Sequence, residues 1–191
     1  MSIALFNIDF FKNLKLFLKP RNLIAKDRAE TISEVMGIIK NQNFKGVIFD
    51  VDQTIVPYGE TIVDLDIKNE ILEITKTTKC CMLSNFPKTK EKFERLSEIQ
   101  RQLGIPLTYS DEKKPSPKAF MAALNILETK ASDTAMVGDR IFTDIMGANN
   151  VEIYTIYQRP LNPKTDPFFW VTIPRIIENF IVNVFKIFLK K

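Results

Sequence analysis

Apolar residues recur along this chain in two rhythms, helical spacing and short unbroken blocks, and the two alternate. Phe10, Phe11, Leu14, Phe17 and Leu18 share one helical face, with Lys12, Lys15 and Lys19 elsewhere, and Pro20 ends that segment. Residues 29–41 predict a short helix that closes before Lys45, after which Gly46-Val47-Ile48-Phe49 reads as a buried strand ending at Asp50. The spacing of Ile67, Ile71, Leu72 and Ile74 predicts a helix from Asp66 to Thr78, followed by a buried strand from Cys80 to Leu83 that ends at Ser84. A charged amphipathic helix over 88–103 carries Phe93, Leu96, Ile99 and Leu103 and is closed by Gly104. Beyond it lie a short strand at 107–109, a helix over 117–127, a strand at 134–137, a helix over roughly 141–149 and a strand at 152–156. From Pro174, the apolar residues Ile176, Ile177, Phe180, Ile181, Val184, Phe185 and Phe188 form a wide helical stripe, with Arg175, Glu178, Asn179, Asn183, Lys186 and Lys190 filling the remainder.

Strands without polar alternation, separated by helices, predict a doubly wound, Rossmann-like α/β fold. Its parallel sheet has about five strands and helices on both faces. Right-handed crossovers bring the strand C-termini to one edge, where such sheets bind ligands. Asp50, Ser84 and Asp139 all follow strands and are expected on that rim. The chain divides into a basic amphipathic segment over 1–28, a central α/β domain over 29–160 and a basic amphipathic tail helix over 161–191.

Charge sharpens that division. Residues 1–28 and 158–191 each carry six Lys/Arg against two acids, so the stretch between is acidic although the chain's net charge is +4. Such a distribution argues against a nucleic-acid groove across the domain and suits an anionic membrane surface at the ends. The chain has no histidine, which removes His-dependent triads and His-ligated zinc and leaves carboxylate, Lys, Ser and hard-cation chemistry. The adjacent Cys80 and Cys81 read as buried thiols of a reducing compartment. No secretory signal is evident, and the stretch Phe168 to Leu189 is interrupted by Pro174, Arg175, Glu178 and Lys186, so a cytoplasmic protein, peripheral at most to a membrane, is expected.

Asp50-Val51-Asp52-Gln53-Thr54 places two acids at i and i+2 just past a strand. One carboxylate there can attack phosphorus and form an acyl phosphate, while the other shuttles the proton of the leaving oxygen and the attacking water. The same pair could equally cap a helix or close a turn. Gly138-Asp139-Arg140-Ile141-Phe142-Thr143-Asp144 supplies further carboxylates suited to magnesium, although Asp139 could serve as a helix cap. Ser84-Asn85 offers a hydroxyl and an amide for a phosphate oxygen, or an ordinary turn. Lys114-Pro115 offers a cation for a transferred phosphoryl group, with Lys113 and Lys118 as rivals.

Taken in order, these elements resemble the four-motif signature of the haloacid-dehalogenase-like (HAD) hydrolases across residues 46–156. The resemblance implies Asp50 as nucleophile and Asp52 as general acid/base. It implies Ser84 and Lys114 as phosphate-binding residues, beside which Asn85 offers its amide. It further implies Mg2+ held by Asp139, Asp144, Asp50 and the backbone carbonyl of Asp52, and requires the side chains of residues 50, 52 and 139 to meet around one hard cation. Gln53 departs from the Asn, Gly or Glu more usual at its position, where no chemistry is expected. Only 29 residues separate Thr54 from Ser84, and 29 separate Ser84 from Lys114, too few for a cap domain. Within the capless, IIIA-type group the chain resembles the phosphatidylglycerophosphate phosphatase family, on Phe49 to Pro57, the Lys-Pro element with Phe120, Gly138 to Ile145 with Gly147 and Asn149, and Leu18-Lys19-Pro20. That resemblance implies a magnesium-dependent phosphomonoester hydrolase acting on phosphatidylglycerophosphate. A phosphoprotein, nucleotide or sugar phosphate is the alternative substrate, and a non-catalytic membrane- or partner-binding module the alternative class.

Overall fold

The computed structural model of the chain describes residues 20–85, 89–108 and 110–189. The helical face expected at Phe10 to Leu18 lies outside the described residues. Among the described residues, six strands form one all-parallel sheet in the order β1-β6-β5-β2-β3-β4. They are β1 (Asp27–Ala29), β2 (Gly46–Phe49), β3 (Lys79–Leu83), β4 (Leu107–Thr108), β5 (Thr134–Gly138) and β6 (Tyr154–Gln158). The helices are α1 (Ile32–Gln42), α2 (Leu65–Ile74), α3 (Lys90–Leu103), α4 (Pro117–Leu127), α5 (Met146–Asn150) and α6 (Ile173–Leu189). Five-residue π-helical turns, Ile141–Ile145 and Phe168–Thr172, lead into α5 and α6.

Local chemistry sets the helix ends. Thr31 and Thr89 accept from the N–H groups of Glu34 and Lys92, and Ser116 caps α4 with Pro117 behind it. Gly104 closes α3 at φ 67°, a conformation most freely adopted by glycine.

Side-chain alternation along the strands builds two cores. Val47, Phe49, Cys80, Met82, Ala135 and Val137 pack on the side covered by α1, α2 and α3. Ile48, Cys81, Leu83 and Met136 pack on the other side against Ala119, Phe120, Ala123 and Leu124 of α4 and Ala148 of α5. The successive cysteines therefore face opposite layers, and burial pushes both thiols up to about 12. Between β2 and α2, and between β3 and α3, no additional folded unit is inserted among the described residues.

Several boundaries differ from expectation. The sheet gains β1, where residue 29 was expected to open a helix, and β6 lies two residues later than 152–156. The bonds of the fold also cross both expected domain boundaries. β1 straddles residues 28 and 29 and pairs with β6, in register Asp27↔Ile156. On the other side, Leu23, Ile141, Met146 and Val182 form a small third core that seats α6 on the domain.

α6 lies opposite to a simple amphipathic expectation. Its polar Glu178 is 1% exposed, whereas Ile176 and Phe180 are 61% and 68% exposed. The segment Phe168–Phe185, with mean hydropathy 1.3, is long and apolar enough to cross a bilayer by length and composition. Its two charges, however, are bonded to the domain, as described next.

Candidate active site

β2 and β5 are neighbours, and their ladder continues one step as Asp50 N–H donates to Val137 O at 2.9 Å. The chain then turns sharply. The N–H groups of Thr54, Ile55 and Val56 all donate to Val51 O, and Gln53 takes φ 65°. That turn leaves the Asp50 side chain at the sheet's C-terminal edge. Beyond β5, Asp139 follows Gly138, and the π-helical turn brings Asp144 back over the same glycine. A Cβ on Gly138 would lie 2.6 Å from Asp144 Cβ, so the close approach requires glycine there. Asp144 Oδ2 accepts from Arg140 N–H at 3.1 Å, which fixes its rotamer.

Asp50, Asp139 and Asp144 converge, each offering an oxygen within 4.8 Å of the others. Lys114, whose side chain is 3% exposed, places its ammonium against Asp50 and 2.7 Å from Asp144 Oδ1, and also donates to Leu83 O at 3.2 Å. Asn85 Oδ1 accepts from Lys114 N–H at 3.0 Å, tying the Lys-Pro loop to the end of β3. Ser84 and Asn85 line the same cleft, which has a volume of about 490 Å3.

Asp52 also lines the cleft but does not join the carboxylate trio. Arg95 of α3 grips both its oxygens at 2.8 and 3.0 Å, and Gly59 N–H donates to Oδ1 at 3.2 Å. The expected meeting of side chains 50, 52 and 139 is thus corrected to 50, 139 and 144. The cause is the Arg95 guanidinium, which takes the Asp52 carboxylate for itself.

Crowding of like charge in a buried place shows in the titration of these groups. Burial raises Asp50 from 3.8 to about 7; Lys114 opposes the rise, and Asp144 and Asp52 add to it. Asp139 is raised well above its ordinary value by burial and then by Asp50 and Asp144, with Arg175 opposing. Burial would lower Lys114, but the charges of Asp144 and Asp50 outweigh it and hold the ammonium above its ordinary value.

The trio suits a hard divalent cation. Asp139 Oδ1 and Asp144 Oδ1 are buried without a hydrogen-bond partner, although the latter has Lys114 in ion contact. Ionised carboxylate oxygens can only accept, so buried orphans of this kind call for a cation. Oxygen-only donors from three carboxylates fit magnesium-type chemistry.

The sequence reading missed four contributions, one of them made by a pair. Arg175 of α6 donates to Asp139 Oδ2 at 2.6 Å and to Asp139 O at 3.2 Å, and its other nitrogen reaches Asp166 Oδ2 at 2.9 Å. Arg140 pairs with the buried Glu178 at 2.7 Å, and Glu178 also accepts from Ile141 N–H at 3.1 Å. Gln53, expected to be inert, takes no part in the trio but donates to Asp166 Oδ1 at 2.6 Å and Asn162 O at 2.8 Å. Arg95 is the fourth, and its only signal was a place on the polar side of α3.

The chain is similar to several known proteins. The model of the family described as mitochondrial PGP phosphatase matches residues 9–162. Over 124 residues the chain is 30% identical to "Probable phosphatase YqeG" of Bacillus subtilis (strain 168), covering 64% of this chain and 69% of that one. It is 26% identical over 170 residues to phosphatidylglycerophosphate phosphatase 1, chloroplastic/mitochondrial, of Arabidopsis thaliana, covering 82% of this chain but only 49% of the plant protein. A crystal structure of an uncharacterized protein from Listeria monocytogenes serotype 4b superposes with TM-score 0.49 at 25% identity, over 63% of this chain and 80% of that one. The chain belongs to the mitochondrial PGP phosphatase family, which makes it an enzyme of the phosphoric monoester hydrolase class.

Proposed function

We propose that this chain is a magnesium-dependent phosphatase that works through an aspartyl-phosphate intermediate and converts phosphatidylglycerophosphate to phosphatidylglycerol. The observation that carries the chemistry is the Asp50 carboxylate at the rim of an open cleft, beside a buried lysine and two carboxylates with orphaned oxygens.

In this reading Asp50 attacks phosphorus and forms an acyl phosphate as the ester P–O bond breaks. Asp52 gives the departing oxygen its proton, then takes one from the water that attacks the acyl phosphate, releasing inorganic phosphate and restoring Asp50. Arg95 grips Asp52 as the carboxylate that deprotonates water, and for the first step one Asp52 oxygen must leave the guanidinium to carry the proton. Lys114 offsets charge on the transferred group, and Ser84 and Asn85 bind its oxygens. Magnesium, held by Asp50, Asp139, Asp144 and the Asp52 carbonyl, supplies positive charge for the phosphoryl oxygens.

The lipid substrate is supported by the family match, by the plant relative and by the surface beside the cleft. Phe168, Phe169, Trp170, Ile176, Ile177 and Phe180 are all exposed, and Val171 and Arg175, interleaved with them, line the cleft. An apolar surface next to an open site suits a peripheral enzyme working on an anionic membrane from the cytoplasmic side. The exposed apolar residues between Phe168 and Phe180 would form the membrane-facing side of the domain.

Asp50→Asn is expected to abolish turnover of p-nitrophenyl phosphate, and chelation to do the same; full activity of that variant refutes the mechanism. Vesicle-borne phosphatidylglycerophosphate is expected to be turned over more efficiently than sugar phosphates or nucleotides, and the reverse order ends the lipid assignment.

A further inference from the structure

A polar relay runs from the nucleophile loop across the cleft to the carboxylate trio. Gln53 Nε2 donates to Asp166 Oδ1 at 2.6 Å and to Thr165 Oγ1 at 3.0 Å, and its Oε1 accepts from Asn162 N–H at 2.8 Å. Gln53 is 1% exposed, so these bonds form out of water. Asp166 Oδ2 then accepts from Arg175, and the same guanidinium clamps Asp139 through both its side chain and its backbone carbonyl. Asp166 and Arg175 lie beyond residue 162, where the family match ends.

We propose that Arg175 is a positioning residue for cation binding, holding Asp139 so that its second oxygen stays free for the ion, and that Asp166 and Gln53 hold Arg175 in turn. The proposal rests on the reading of the trio as a cation site.

Three physical arguments support it. A carboxylate beside two others in a buried place would turn away from them, and the guanidinium bonded to Oδ2 holds it in place. Arg175 meets that need with one oxygen of Asp139 only, since Oδ2 takes the guanidinium and Oδ1 has no partner. The guanidinium also touches Asp166, so the pair is close to neutral and does not repel an incoming dication as a free arginine would. Groups that hydrogen-bond a metal-ligating carboxylate typically tune metal affinity by about 10–100-fold.

Lysine cannot reproduce the arrangement. Its ammonium is a single point, whereas the planar guanidinium spans two carboxylates at once. Arg175→Lys is therefore expected to rescue only part of what Arg175→Gln loses.

The test is magnesium titration of the full-length protein by calorimetry, for wild type, Arg175→Gln, Arg175→Lys and Gln53→Met, beside thermal melts without magnesium. Arg175→Gln is expected to weaken magnesium by about 10–100-fold, Arg175→Lys by less, and Gln53→Met in the same direction. Unchanged affinity in a folded Arg175→Gln overturns the proposal, as does a lower melting temperature with no change in affinity. If Arg175→Gln does not fold, Gln53→Met decides, and unchanged affinity there overturns it. Absence of magnesium binding to wild type removes the cation reading itself, a result distinct from the others.

Discussion

Adding one methyl group at Gly138 tests whether the closeness of β5 to the π-helical turn matters to catalysis. The Cβ of an alanine would stand 2.6 Å from Asp144 Cβ and 2.7 Å from its Cγ and Oδ2. Carbon atoms rest at roughly 3.5–4.0 Å, so about 1 Å must be found. Asp144 cannot swing aside cheaply. Its Cβ is fixed by the backbone, and its N–H and Oδ2 are bonded to Arg140. Overpacking of this kind costs about 1–3 kcal/mol, and at this chain length each kcal/mol moves the melting temperature by roughly 2–4 °C. A misplacement of about 1 Å in a group that holds the reacting site costs turnover on the order of 100-fold. Gly138→Ala is therefore expected to melt several degrees lower and to hydrolyse p-nitrophenyl phosphate about 100-fold more slowly. Gly37→Ala is the control. Gly37 lies exposed inside α1 with nothing within 4 Å of the added carbon, so it should gain about 0.5–1 kcal/mol and keep full activity. A Gly138→Ala enzyme as active and as stable as wild type refutes the reasoning.

Two further outcomes follow from the site and its surroundings. Asp50 titrates at about 7 in the folded chain against 3.8 ordinarily, and Asp139 is shifted the same way, so between those values the folded state holds protons that the unfolded state has lost. Stability of the metal-free protein should therefore be present at low pH and fall as pH rises toward 7, and excess magnesium should reduce the fall; a urea midpoint that climbs with pH in chelator contradicts this. Trp170, the chain's single tryptophan and 70% exposed, should shift its emission to the blue on vesicles containing anionic lipid and lose that response in high salt. An unmoved spectrum on such vesicles removes the membrane contact.

The fold was legible where burial is complete. β2 and β5 are hydrophobic on both faces because both faces are covered, so unbroken apolar blocks marked them without any alternation. β1 was not legible because Asp-Arg-Ala at a sheet edge carries no such block. The register of β6 was displaced because it ends in Gln158, a buried amide that donates to Thr54 O at 2.9 Å, and a polar residue at that depth reads as a loop. Asp50 and Asp139 could be picked out because each follows a strand, and topology brings strand ends together. Arg175 could not. Its partner Asp139 is 36 residues away, and helical periodicity sorts side chains into polar and apolar without saying which face meets the domain. The open side of α6 turned out to be the apolar one, because Asp139 and Arg140 draw the charged side inward.

The three-residue strand β1 carries a consequence for how the chain assembles. Its pairing with β6 joins Asp27 to Ile156, whereas β2 and β3 meet across only 33 positions. Three residues return few ladder bonds against the entropy of ordering them. During refolding this edge is expected to be laid down last, after β2, β3 and β5 have already gathered the acidic rim. In hydrogen exchange its amides should open first, uncovering the flank of β6 while the catalytic centre stays shut.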